Sequence, residues 1–121
     1  MEIIALRGPQ NSGKTTTLKI VYDKLLEHGF KQPNSVRREI SNEDFLAVLE
    51  NDGKKIGIVT QGDYARGECS VKHHLRTLEN LGCDVAICAC TTGYGKDGIQ
   101  AAINAYPMHD YVEKKRVDNA T

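Results

Sequence analysis

The sequence predicts an α/β fold: a mostly parallel sheet with one antiparallel hairpin, and helices on both faces. Three observations lead there. The chain opens with a mostly apolar run, Glu2 to Arg7, followed by a loop and an amphipathic segment, the order of a strand feeding a helix. Strand-like and helix-like stretches then alternate to the end. The pair Asp52-Gly53 joins two β-prone runs, a strong local signal for a type I′ hairpin. With 121 residues the whole chain, 1–121, is read as one domain.

Glu2 to Arg7 ends at Gly8 and Pro9, as a buried central strand entering a loop does. Beyond the loop, Leu18, Val21, Tyr22, Leu25 and Leu26 recur at helical spacing, and Gly29 closes that helix. The polar stretch 31–42, with Pro33, Asn34, Arg37 and Arg38, reads only as a connection holding a short extended piece. Phe45 to Glu50 and Lys55 to Gln61 are the two hairpin strands. Ser70 is the N-cap of a helix carrying Val71, His74, Leu75, Leu78 and Leu81, which Gly82 follows. Asp84 to Thr91 is another buried strand. Gly93, Gly95 and Gly98 then lead into a helix with Ile99, Ala102, Ile103 and Tyr106, stopped by Pro107, and Tyr111 to Val117 forms an edge strand. In such sheets ligands sit beyond the carboxyl ends of the strands, which gathers the loops at 8–15, 61–68 and 91–98 on one rim.

Gly8-Pro9-Gln10-Asn11-Ser12-Gly13-Lys14-Thr15 fits G-x-x-x-x-G-K-[ST] between a strand and a helix. Polyphosphate oxygens carry several negative charges, and a loop whose successive N–H groups point inward can surround them at the positive end of a helix. In this motif the chain resembles the P-loop NTPase superfamily. The resemblance implies a three-layer P-loop NTPase-like sheet, ATP or another nucleoside triphosphate as ligand, and Mg²⁺. It implies a phosphate cradle of Gly8, Asn11, Ser12, Gly13, Lys14, Thr15 and Thr16. Lys14 would reach the β- and γ-phosphates, Thr15 would ligate Mg²⁺ through its hydroxyl, and Thr16 would lie near the α-phosphate. Gly8 is expected to allow the turn out of the strand, and Gly13 the close approach of the backbone.

P-loop enzymes also place an acid at the end of a neighbouring apolar strand. Asp63 is the candidate for this catalytic and metal-linked role, although three residues part it from Val59 and a plain turn aspartate after Gly62 reads as well. Gln61 is either a water-orienting amide or an exposed strand-end glutamine. Arg66 and Lys96 on the rim loops, and Arg37 and Arg38, are candidate cations for a transferred phosphoryl group or else solvated charges. ATP is the default base, because no Asn-Lys-x-Asp guanine reader is present. No arginine-rich lid segment of the small P-loop kinases is visible.

Other features limit the alternatives. Lysine plus arginine equals aspartate plus glutamate at 16 each, and tryptophan is absent, so neither a basic field nor a stacking platform signals nucleic acid. No stretch reads as a leader or membrane span, and the expectation is a cytoplasmic chain with reduced Cys69, Cys83, Cys88 and Cys90. Those cysteines with His73 and His74 lack zinc-ligand spacing. His74 is expected inside, satisfied by a neighbour, and His28 and His109 outside. Gly93 to Gly98 fits G-x-G-x-x-G, with Asp118 as a ribose acid, so the stretch is either a dinucleotide loop or a loop closing over the ligand. The intact Lys14-Thr15 pair favours an Mg²⁺-dependent ATPase or small kinase. A nucleotide-binding module without turnover, and an assembly subunit whose site a protein partner or second copy completes, are the alternatives.

Overall fold

Nine elements follow one another along the chain in the computed structural model, which describes residues 1–32, 37–41 and 43–115. They are β1 (Glu2–Pro9), α1 (Lys14–Glu27), β2 (Arg37–Glu39), β3 (Phe45–Asn51), β4 (Lys54–Val59), α2 (Val71–Asn80), β5 (Val85–Thr92), α3 (Asp97–Asn104) and β6 (His109–Glu113). The six strands form one mixed sheet in the order β2-β3-β4-β5-β1-β6. The pairs β4/β5, β5/β1 and β1/β6 are parallel, whereas β3 runs against both β2 and β4. The hairpin lies where the sequence puts it: Asp52 and Gly53 both have positive φ, 50° and 78°, the pair of left-handed residues a type I′ turn needs.

Side-chain alternation in the strands sorts the core into two layers. On one face Leu6, Phe45, Ala47, Leu49, Ile58 and Ala89 pack with Leu18 and Tyr22 of α1. On the other, Ile3, Ala5, Val48, Val59, Cys88 and their neighbours pack with Val71, Leu75 and Leu78 of α2 and Ile99 and Ile103 of α3. Period two in the strands and 3.6 in the helices thus close a helix–sheet–helix sandwich. Each fully buried aliphatic side chain stabilises it by about 1.5–3 kcal/mol.

The structure alters several local expectations. Leu26, placed on the inner stripe of α1, is an exposed residue at the helix end. The unreadable connection contains β2, a three-residue strand closing the sheet edge through Arg37↔Ala47 and Glu39↔Phe45. Pro33, Asn34 and Asn42 lie outside the described residues. Helix α3 stops at Asn104, so Tyr106 follows the helix and does not sit in it. The edge strand begins two residues earlier than expected, at His109, and residues 116 and 117 lie outside the described part. Among the described residues no helix is long and apolar enough to cross a membrane.

Candidate functional site

β1 runs out at Pro9, and four residues carry the chain into α1. Asn11 and Gly13 take left-handed conformations (φ 59° and 90°), which folds residues 10–13 into a tight loop. Gly13 is the N-cap of α1, and the helix start has neither a side-chain cap nor an acid in its first turn. No residue of the first turn therefore offsets the positive end of the helix. The loop and first turn wall a hollow of about 360 Å³, lined by Gln10, Asn11, Ser12, Gly13, Lys14, Thr15 and Thr16 together with Thr60, Gly62 and Asp63. Of the expected phosphate cradle and Asp63, only Gly8 is missing from that lining.

Gly8 serves another purpose than the expected turn. It lies inside β1, opposite Thr91, and a Cβ there would come within 2.4 Å of the Lys114 carbonyl oxygen. The Lys114 N–H also donates to the Arg7 carbonyl at 2.7 Å, so the chain leaving β6 braces the base of the loop. Lys114 was not anticipated, because a lysine in a polar C-terminal stretch carries no periodic or motif signal.

Lys14 is buried although charged, and its Nζ donates to the Pro9 carbonyl (2.7 Å), the Gly8 carbonyl (3.1 Å) and Ser12 Oγ (3.4 Å). Burial lowers its pKa below the ordinary lysine value, against the opposing pull of Asp63 and of Cys90. An ammonium held by neutral carbonyls at the uncapped start of a helix favours the arrival of a polyanion.

Asp63 reaches the hollow by an unexpected route. The strand it follows, β4, is not beside β1; β5 separates them. Strand β5 itself ends in Cys90-Thr91-Thr92, with no carboxylate. The segment leaving β4 crosses the end of β5 instead: the Thr91 N–H donates to the Gly62 carbonyl at 3.0 Å, and Thr91 Oγ1 donates to Asp63 Oδ1 at 2.6 Å. Gly62 is required at this crossing, because a Cβ would meet the Ala89 carbonyl oxygen at 2.3 Å. Lys96 Nζ donates to the Asp63 carbonyl at 2.6 Å and ties the glycine loop to the same place.

Thr15 does not pair with Asp63. Its Oγ1 donates to Asp44 Oδ1 at 3.3 Å, and Thr60 Oγ1 donates to the same oxygen at 2.8 Å while accepting the Phe45 N–H at 2.9 Å. Asp44 is thus a second carboxylate at the loop, one that the sequence reading missed. Among the described residues no three Asp, Glu, His or Cys side chains gather as a metal site. The Thr15 hydroxyl and Asp44 carboxylate offer two hard oxygens beside the hollow, a set that fits Mg²⁺, which keeps waters and takes substrate oxygens, and does not fit a closed zinc site.

Both expectations for Gln61 fail. The side chain is neither exposed nor in the hollow: it is buried, and its Oε1 meets His74 Nε2 at 2.9 Å. His74 is satisfied inside as expected, and burial, with the neighbouring His73, pushes its pKa below the ordinary histidine value. His28 is exposed, whereas His109 is half-buried with Nδ1 2.6 Å from the Tyr106 carbonyl oxygen.

No family model, curated protein or solved structure matches this chain. The site therefore has to be read from its own chemistry.

The rival sites gain little from the geometry. Gly93 to Gly98 does join β5 to α3, but Lys96 is spent on the Asp63 carbonyl, and Asp118 lies outside the described residues. The four cysteines are free thiols; Cys83, Cys88 and Cys90 are buried, and burial raises the thiol pKa of Cys83 and of Cys90 to about 11. Of the candidate cations, Arg37 lies over the Phe45 ring at 4.1 Å and pairs with Glu39 at 2.9 Å, a structural role away from the hollow. Arg66 lines a neighbouring cavity with Lys96.

Proposed function

We propose that the hollow at residues 10–16 binds the polyphosphate of a nucleoside triphosphate, ATP by default, and that the protein is a phosphoryl-transfer enzyme of the P-loop NTPase type. The observation that carries the reading is the position of Lys14. It is a buried ammonium held by the Gly8 and Pro9 carbonyls at the end of β1 and by Ser12 Oγ, inside an open hollow at a helix start with no side-chain cap. In this reading Lys14 turns from the Gly8 and Pro9 carbonyls to the β- and γ-phosphates, and the loop and first-turn amides surround the remaining oxygens. Thr15 and Asp44 would hold Mg²⁺, with Asp63 across the hollow. Bound there, the ion would neutralise charge on the phosphate oxygens. Asp63, fixed by Thr91, is the group positioned to accept a hydrogen bond from an attacking hydroxyl or water.

A second reading, binding without turnover, is favoured by Gln61. Its amide is buried against His74, so the strand end offers no amide to orient a water. Calorimetric titration with ATP, with and without Mg²⁺, followed by phosphate release from the same samples, separates the two.

Lys14→Ala should weaken ATP binding about 10- to 100-fold, the size of losing charge-assisted hydrogen bonds. Asp44→Asn should remove most of the Mg²⁺-dependent gain and leave metal-free binding little changed. Unaltered affinity in Lys14→Ala would refute the site; tight binding with no phosphate release would leave the module reading standing.

A further inference from the structure

Beyond Asp63 the surface holds a second hollow with a different composition. A cavity of about 530 Å³ shares Asp63 with the phosphate hollow and continues along Tyr64, Ala65 and Arg66 to the loop at Gly95 to Gly98. It shares Ala65 and Arg66 with a further recess of about 350 Å³ at the start of α2, walled by Arg66, Gly67, Ser70, Lys72, His73 and Arg76. No carboxylate lines that recess. Acids and bases are equal in number in the chain, and Arg7, Lys19, Lys24, Arg37 and Lys55 are all ion-paired. Among the described residues the other lysines and arginines have no ion pair, and three of these, Arg66, Lys72 and Arg76, share one recess.

The backbone agrees with the side chains. At the start of α2 the Val71 N–H donates to the Tyr64 carbonyl at 3.1 Å and the His73 N–H to Ser70 Oγ at 3.1 Å, bonds that leave the Lys72 N–H unused. Lys72 and Arg76 are i and i+4 neighbours on one helix face, and Arg66 approaches from the loop.

We propose that this recess is an anion site that takes the phosphate of a small phosphomonoester, whose remaining part lies along Tyr64 towards Asp63. Two guanidiniums and an ammonium around a recess that no carboxylate lines match the charge of a phosphate dianion, and the planar guanidinium fork matches its oxygens; Glu79 meets Lys72 and Arg76 only in the adjoining hollow. Arg66 follows Asp63 by three positions, at most about 10 Å of extended chain, so a small molecule spans the distance. The half-exposed Tyr64 ring, with Lys96 Nζ 5.8 Å from its centre, supplies a flat wall for the body of the ligand. The binding is independent of nucleotide at Lys14.

The test is a ¹⁵N NMR titration with phenyl phosphate, and with phenol as the uncharged control, on the wild type, Lys14→Ala and the double variant Arg66→Gln/Arg76→Gln. Phenyl phosphate should shift amides from Gly67 to Arg76 in the wild type and equally in Lys14→Ala. The double variant should bind it at least 10-fold more weakly while its ATP-induced shifts at Gly13 to Thr16 stay as in the wild type. Lys72→Gln alone should give a smaller loss in the same direction. Shifts confined to Gly13 to Thr16, equal binding of phenol, or undiminished binding in the double variant would overturn the site. Absence of ATP-induced shifts at Gly13 to Thr16 in the wild type, with the α2 shifts retained, would refute the nucleotide reading and leave this one in place.

Discussion

His74 and Gln61 form a buried polar pair between α2 and the end of β4, next to Gly62 and Asp63. The folded chain resists protonation of His74, whereas the unfolded chain takes up that proton near the ordinary value of 6.5. The unfolded state therefore binds more protons below that value, and folding stability is full above about pH 6.5 and falls as the pH drops beneath it. The melting temperature should be lower at pH 5 than at pH 7. His74→Gln should shrink that difference; an identical pH dependence in the variant would show that the acid sensitivity lies elsewhere. At the same scale Lys14 was legible because its motif fixes chemistry and spacing together. Gln61 was not, since nothing in a strand-end glutamine says that a histidine thirteen residues on will turn inward to meet it.

The connection that brings Asp63 into the site depends on the element boundary at Gly62. Its crossing over β5 leaves no room for a side chain, with backbone and not a flexible side-chain tip as the obstacle. Gly62→Ala should cost about 3 kcal/mol in urea unfolding and displace Asp63 as well; a loss under about 1 kcal/mol would show that the crossing relaxes freely. Helices and strands with one clear period were readable from the sequence, as was the hairpin at Asp52-Gly53. Asp44 was readable in principle by one more step. A hairpin returns the start of its first strand to the end of its second, here Leu46 opposite Val59, so an acid just before β3 must lie beside the segment after β4. Strand order was the part periodicity could not supply: nothing local says that β5 inserts between β4 and β1.

Across the molecule, protection should follow that order. β1 and β5 are central and covered on both faces, whereas β2 is a three-residue edge. Hydrogen exchange should be slowest at Ile3 to Leu6 and Ala86 to Cys90 and fast at Arg37 to Glu39. Comparable protection in β2 and β1 would contradict the sheet order. The same order has a consequence for biosynthesis. β1 leaves the ribosome before either of its neighbours, β5 and β6, which follow it by more than seventy residues. Until those residues are made, the nascent chain carries the loop at residues 10–13 without the Lys114 backing or the β5 partner that shape it. Contacts this distant in sequence close slowly. A ligand that recognises the finished loop can stabilise the protein only once β5 and β6 have been made, and until then β1 is an unpaired apolar strand for chaperones to shield.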